Sequence, residues 1–525
     1  MQILPLVRKV LSKRSSPGSP TSLNMTARKI MIQGTGSNVG KSVITAALCS
    51  YFRQEGFRVA PFKSQNMSNN SFVTASGGEI GRAQAFQAQV CGIEPTVEMN
   101  PILLKPSSET GAQVVVLGKS VSVMTAREYH QFQRQLIGLI RESLDKVSSQ
   151  YDILVIEGAG SPAEINLRRF DIANMAVAQM AGAPVVLVGD INFGGVFASL
   201  VGTLELLTPE ERSFVRGLLI NKFRGDISLL KEGVDLLETK TGKKILGVLP
   251  FIDDLQVAEE DSILEWKWKS SRRAEPEKLN IHVIHYPHIS NSTDFDSLEN
   301  ETDVSLRFVT RVSDSESLPD ALILPGSKST MSDLAYMRSS GFDRYIVRCV
   351  DARIPIVGVC GGYQMLGREL LDPHGAESTL SRAEGLGLLN LVTCFEREKK
   401  TVQVRALDVT TRQQIAGYEI HMGRTSGPDT ARPVFRISEG LGSNSERFDG
   451  ARSEDGLVWG TYIHGVFDAP LFRRDFLNAL RKRRGWPALD FAKTRSFAEQ
   501  SDALADLIRQ NVDLTALDRI LNLKL

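Results

Sequence analysis

From Lys29 onward, short apolar and β-branched runs alternate with longer stretches of helical character: KIMIQG, VITAALCSYFRQEG and FRVAPFKS, then YDILVIEG, APVVLVGD, GLLINKF and KILGVLPF. Such alternation predicts a parallel sheet flanked by helices, because parallel strands need crossovers long enough to hold a helix. Across 256–280 the pattern gives way to the charged stretch WKWKSSRRAEPEKLN, which reads as a linker. A second alternating region follows, with IHVIHYPHI, ALILPGS, IPIVGVC, GLGLLNLVT and LVWGTYIHG as strand candidates. The expected fold is therefore α/β, with two parallel-sheet domains in one chain. Beyond Asp468, Leu504, Leu507 and Ile508, then Leu514, Leu517, Ile520 and Leu521, recur at helical spacing and predict a helical tail that packs on a domain or a partner. The resulting division is a disordered leader at 1–26, domains at 27–255 and 281–475 around the linker, and the tail at 476–525. No apolar run reaches transmembrane length, and no short repeat suggests a solenoid.

Composition narrows the classes further. The 525 residues suggest several domains at roughly 150 residues each. Lys plus Arg number 62 against 61 Asp plus Glu, a net charge of +1, so no global basic field recruits nucleic acid or a membrane surface. Any anionic partner must be bound locally. Five scattered cysteines and no CxxC pair argue against a disulfide scaffold or a zinc site and fit a reducing cytoplasm.

Between KIMIQ and VITAALCSYF lies Gly34-Thr35-Gly36-Ser37-Asn38-Val39-Gly40-Lys41-Ser42. Glycines let backbone N–H groups turn toward an anion, a helix N-terminus adds its dipole, Lys41 reaches terminal phosphates and Ser42 can hold Mg²⁺. The expectation is an ATP site. Its spacing is a variant: Thr35 stands where the usual motif has glycine, and Gly34 lies one residue further back. Glu157, after YDILVI, falls where open α/β sheets gather ligands and is a second candidate for Mg²⁺. Asp171 in RRFDIANM is a candidate catalytic carboxylate, Asp190 a further acid, and Asn221 after GLLI a candidate reader of the purine base.

IPIVGVCGGYQMLG places Cys360 among Gly358, Gly361 and Gly362, between a strand-like and a helix-like run. A sharp turn there exposes a nucleophile, and a helix start favours thiolate. His464 in WGTYIHGVFD is the candidate base, and backbone N–H groups at Gly326 in LPGSKST and at Gly361 are candidate oxyanion donors. His282, His285 and His288 do not read as a metal cluster, since on a strand the outer two would stand about 20 Å apart. His421 in GYEIHMGRT reads equally as a packed imidazole or a substrate contact.

These segments together resemble the cobyric acid synthase family of glutamine-dependent amidotransferases. The resemblance covers roughly residues 28–475. APFKSQNMSNNS, GGEIGRAQAFQAQVCGIEPTVEMNPILLKP, EGAGSPAEINL and DIANM carry it in the first half, which is similar to dethiobiotin synthetase-like P-loop ATPases. PHISNSTDFDSL, LPGSKST, GVCGGYQMLG, GYEIHMGRT and GTYIHGVFD carry it in the second, which is similar to class I (flavodoxin-like) amidotransferases of the cobyrinate type. The resemblance implies Cys360 as glutaminase nucleophile, His464 as its base, ATP and Mg²⁺ in the first half, and glutamine as nitrogen donor. It implies a corrinoid acceptor, adenosylcobyrinic acid a,c-diamide, amidated at its b, d, e and g carboxylates, and it allows a homo-oligomer. Many amidotransferases carry Glu two residues after the catalytic His; here Val466 stands there, so the group orienting His464 is left open and the site reads as a Cys-His dyad. The sister family that amidates the a and c positions shares both chemistries, but QNMSNNS and EMNPILLKP argue against it. A partitioning-type ATPase switch uses a similar loop, and the Cys360 turn argues against that.

Overall fold

The structure is a computed structural model and describes residues 27–106, 111–252, 275–312, 317–378, 380–440, 447–490 and 497–523. The leader at 1–26 and most of the linker expected at 256–280 lie outside the described residues. In the first domain six strands form one parallel sheet, in the order Ile245–Pro250, Val215–Phe223, Val185–Asp190, Arg28–Gly34, Ile153–Glu157 and Val59–Phe62. Every one lies within an apolar run of the sequence. The central strand carries Ile30, Met31 and Ile32 with no exposure at all, so both faces are covered, as parallel sheets require.

The second domain repeats the plan. Val304–Val309, Leu279–Ile284, Ala321–Leu324, Ile356–Val359 and Val458–Thr461 run parallel, and Ala451–Arg452 closes one edge antiparallel. Two antiparallel features are additional. In the first domain Ile102–Pro106, Gly111–Val116 and Lys119–Thr125 form a meander joined by Gln65–Met67. In the second, Val392–Asp408 and Gln414–Ser426 make a long hairpin. The run GLGLLNLVT contributes only its last residues to that hairpin; Leu389 and Leu391 are buried outside any strand.

The tail expected from residue 476 starts inside a helix, Pro470–Arg483, whose Leu477 and Leu480 join the core of the second domain. The chain then returns to the first domain. Helices Phe497–Asn511 and Leu514–Leu521 place Leu504, Ala505, Leu507, Ile508 and Leu517 in one core with Ile44, Ala47, Leu48 and Phe52 of the helix after the glycine loop. Polar contacts fix the register: Ser50 Oγ donates to the Ser501 carbonyl at 2.6 Å, and the Asp513 N–H donates to the Leu246 carbonyl at 2.7 Å. The linear order of domains is thus not their packing order.

Candidate active sites

The glycine loop leaves the central strand at Gly34 and enters helix Lys41–Gln54. Gly40, at φ 94°, is where its glycine is indispensable: a Cβ there would stand 2.1 Å from the amide nitrogen of Asn221. Asn38 is also left-handed, at φ 61°. Lys41 Nζ bonds the carbonyls of Gly36, at 2.8 Å, and Gly160, at 3.2 Å, so it spans the loop and the EGAG turn of the neighbouring strand. The Ser42 hydroxyl donates to Glu157 Oε1 at 2.8 Å, and the same buried carboxylate takes Lys63 Nζ at 2.7 Å and Gln87 Nε2 at 2.6 Å. Ser42, Glu157 and Lys41 therefore converge as the sequence suggests. Lys63 and Gln87 were missed, although both lie within the family-like stretches.

Two further candidates make local contacts. Asn221, the candidate base reader, donates its side-chain N–H to the Val39 carbonyl at 2.8 Å, beneath the loop, and so also braces the chain at Gly40. Asp171 accepts backbone N–H bonds from Ala173, Asn174 and Ala176 at 2.8–2.9 Å. Both oxygens of this candidate acid thereby hold the start of the helix at Met175. That cap sets Asn174, which brackets the backbone of Ala159 in the EGAG turn. Asp190 pairs with Lys222 at 3.2 Å, beside the loop.

In the second domain Cys360 ends strand Ile356–Val359 at φ 51°, ψ −106°, strained for a residue with a Cβ, and begins helix Gly361–Leu366. The glycines that follow allow close packing: a Cβ on Gly361 would meet the Ser327 nitrogen at 2.7 Å, and one on Gly362 the Leu324 oxygen at 2.0 Å. The elbow and the LPGS turn are thereby pressed together. Gly326 sits at the same point, with space for a Cβ only 3.1 Å from His464 Cε1. Asp333 holds this turn by accepting from the Ser327 hydroxyl at 2.6 Å, while its other oxygen is bonded to His288 Nδ1 at 2.8 Å.

His464 is completely enclosed, with Cys360 on one side and Asp294 on the other; its Nδ1 lies 2.7 Å from Asp294 Oδ2. The second oxygen of Asp294 accepts the N–H of Gly465 at 3.0 Å, which locks the carboxylate. Burial disfavours a charged imidazole, yet Asp294 and the Cys360 sulfur outweigh it, and the His464 pKa is pushed up to about 10. The open question of what orients His464 is answered by Asp294, within the stretch PHISNSTDFDSL. Two acids in that stretch, 170 residues before His464, were the available signal, and local spacing does not choose between them.

Around this pair, Gln364 accepts from the Thr330 hydroxyl at 3.1 Å and donates to Tyr462 Oη at 3.3 Å. His421 stacks on Tyr462 at 3.8 Å, beside Gln364. His282 is bonded to Tyr345 Oη, away from the elbow, and burial lowers its pKa to about 4.

Both halves match known families. The CobQ/CobB/MinD/ParA nucleotide binding domain matches residues 30–264, and the CobB/CobQ-like glutamine amidotransferase domain matches 280–472. Curated relatives run the length of the chain. A cobyric acid synthase of Dehalococcoides mccartyi is 47% identical over 95% of this chain and 99% of its own. One of Pelotomaculum thermopropionicum is 52% identical over 87% and 88%, and one of Moorella thermoacetica 48% over 95% and 98%.

Proposed function

The chain belongs to the cobyric acid synthase family, a family of glutamine-dependent amidotransferase ligases, and from that premise we propose how its two sites divide the reaction. The acceptor is the corrinoid a,c-diamide, and the b, d, e and g carboxylates are amidated in turn, each consuming one ATP and one glutamine. The observation that carries this reading is a locked Cys360–His464–Asp294 constellation in the same chain as the Lys41 loop. No helix of the described residues is long and apolar enough to cross a membrane, and the reading places the enzyme in the cytoplasm.

A carboxylate resists an amine because its charge repels the nucleophile and oxide leaves poorly; transfer of phosphoryl from ATP gives an acyl phosphate that does not. Lys41 neutralises charge on the transferred group, and the N–H groups of the glycine loop cradle the phosphates. Mg²⁺ fits here: the Ser42 hydroxyl and the Glu157 carboxylate meet at 2.8 Å and offer the one or two hard oxygens that Mg²⁺ takes from protein when phosphates and water complete its shell. It would offset phosphate charge. Lys63 already holds Glu157, so Ser42 is the ligand we assign and Glu157 orients it.

At the second site the Cys360 thiolate attacks the glutamine carboxamide, with Gly326 and Gly361 N–H groups as oxyanion donors. His464, held protonated by Asp294, gives its proton to the leaving nitrogen, so neutral ammonia departs and a glutamyl thioester remains. The deprotonated His464 then activates water to release glutamate. Ammonia crosses to the acyl phosphate through the protein, since in bulk water near neutrality it would become ammonium.

Two variants test the division. Cys360→Ala is expected to abolish glutamine-driven amidation and to retain amidation with high ammonium at alkaline pH, whereas Lys41→Ala loses both. Equal loss with both nitrogen donors in Cys360→Ala would overturn it. The readout is corrinoid product mass.

A further inference from the structure

His421, the histidine of GYEIHMGRT, is set beside the thiol and takes no part in the steps above. The Ile420 carbonyl accepts the Cys360 thiol at 3.4 Å, so the residue that follows it adjoins the nucleophile. This strand lies flush against the elbow helix: a Cβ on Gly423 would stand 2.4 Å from Gln364 Nε2. Two contacts hold the imidazole. Its ring stacks on Tyr462 with centroids 3.8 Å apart and planes 17° from parallel, and Nδ1 lies 2.8 Å from the Gly423 carbonyl oxygen. A carbonyl oxygen only accepts, so Nδ1 carries the proton.

The other ring nitrogen has no such contact. His421 Nε2 is buried without a hydrogen-bond partner among the described residues, in a side chain only 9% exposed. Glu419 Oε1 stands 3.8 Å away, beyond hydrogen-bond reach. That carboxylate is satisfied by others: Arg447 donates to both its oxygens, and Lys400 Nζ donates to Oε1 at 3.1 Å. Glu419 is thus neutralised without His421, and Nε2 presents a lone pair. An enclosed acceptor that lacks a donor is destabilising, and the stack and the Gly423 contact keep the ring from turning to find one.

Glutamine brings a donor of the right kind. With its carboxamide carbon at the Cys360 sulfur, its α-nitrogen lies roughly 5 Å further along the molecule. That nitrogen is an ammonium with three N–H donors. The α-carboxylate beside it suits Arg447 and Lys400, two cations that share one buried carboxylate and leave surplus positive charge around it.

We infer that His421 recognises the α-amino-acid end of the glutamine donor, its Nε2 accepting from the α-ammonium while Arg447 and Lys400 draw the α-carboxylate. The inference rests on the glutaminase reading above. Attack by Cys360 needs only a carboxamide. The lone pair of His421 selects, among carboxamides, the one that carries a free amino group.

Two amide variants separate recognition from packing. His421→Asn places an amide N–H where Nδ1 stands and keeps the Gly423 contact, but removes the acceptor at Nε2. His421→Gln puts an amide oxygen near the Nε2 position and gives up the Gly423 contact. Recognition through Nε2 predicts that KM for glutamine rises roughly tenfold to a hundredfold in His421→Asn, the range for losing one hydrogen bond to a charged group, with kcat little changed. In His421→Gln the KM stays near the wild-type value. A role in packing alone predicts the reverse order. Glutaramate has the carboxamide and carboxylate of glutamine without the amino group, and its Ki as a competitive inhibitor should be the same in wild type and His421→Asn. Ammonium-driven amidation reports folding and should persist in both variants. An unchanged KM in His421→Asn, an equal or larger rise in His421→Gln, a parallel rise in the glutaramate Ki, or loss of ammonium-driven amidation in His421→Asn overturns the inference. If the wild-type chain hydrolyses no glutamine, the two-site reading fails instead.

Discussion

At Cys360 the backbone adopts φ 51°, a conformation that costs on the order of 1–3 kcal/mol for a residue with a side chain and persists only where its surroundings enforce it. The enforcement is visible in Gly361 and Gly362, which let the LPGS turn press on the elbow. This much was legible in GVCGGYQ, because glycines beside a cysteine between a strand and a helix have few other uses. His464 was legible for the same local reason. Asp294 was not, since its contact with His464 depends on a fold that joins distant segments. Its role gives a prediction with a definite sign: removing its charge leaves burial to dominate, so His464 loses its proton at lower pH. Asp294→Asn should move the alkaline limb of glutamine hydrolysis down from about pH 10 and reduce the rate roughly a hundredfold, within the range for losing general acid–base catalysis. Rates measured across pH would show both. Asn221 and Asp171 teach the converse lesson. Amides and acids at strand ends and loop starts are also the groups that brace loops and cap helices, and only the position of neighbouring N–H and C=O groups separates the two roles.

At the scale of elements, helix Lys41–Gln54 is the informative case. An amphipathic helix on a sheet has one polar face, yet Ile44, Ala46, Ala47, Leu48, Cys49, Tyr51 and Phe52 are all buried. VITAALCSYF is apolar all round because a second layer, the helix Phe497–Asn511, covers its outer side. That all-round pattern was a readable signal that something packs there; what packs was not readable. Leu504, with no exposure, lies at the centre of this contact. Leu504→Ala should destabilise the first domain by roughly 2–5 kcal/mol. Chemical denaturation followed by protection of the loop with added ATP should show the first domain melting earlier, with glutamine hydrolysis retained. The strand Val215–Phe223 and its partners were legible as apolar runs of strand length, whereas the hairpin Val392–Ser426 was obscured by its charged residues Glu396, Arg397, Glu398, Lys399 and Lys400. Those charges break the period-two alternation by which a half-buried strand is recognised.

At the scale of the molecule, the two domains are locked by contacts that run to His464. Arg82 pairs with Asp468 at 3.1 Å, Asn291 Nδ2 of the second domain donates to the Ser71 carbonyl of the first at 3.4 Å, and Phe72 of the first domain packs edge-on against Tyr418, which stacks on His464 at 5.4 Å. Because the final helices complete the first domain, a chain ending at Gly485 should retain glutamine hydrolysis and lose amidation with glutamine and with ammonium alike. Comparing both donors on that truncated chain would check it; amidation surviving with ammonium would show that the helices are dispensable. The sequence by itself determined the two parallel sheets, the phosphate loop, the thiol elbow and its histidine, because each is written in contiguous residues whose spacing acts over a few ångströms of backbone. The tertiary structure decided the rest: Asp294 beside His464, the closing helices on the first domain, and Lys399 of the second domain paired with Glu79 of the first. Those arrangements join residues far apart in sequence, and no local periodicity encodes which distant partners burial will bring together.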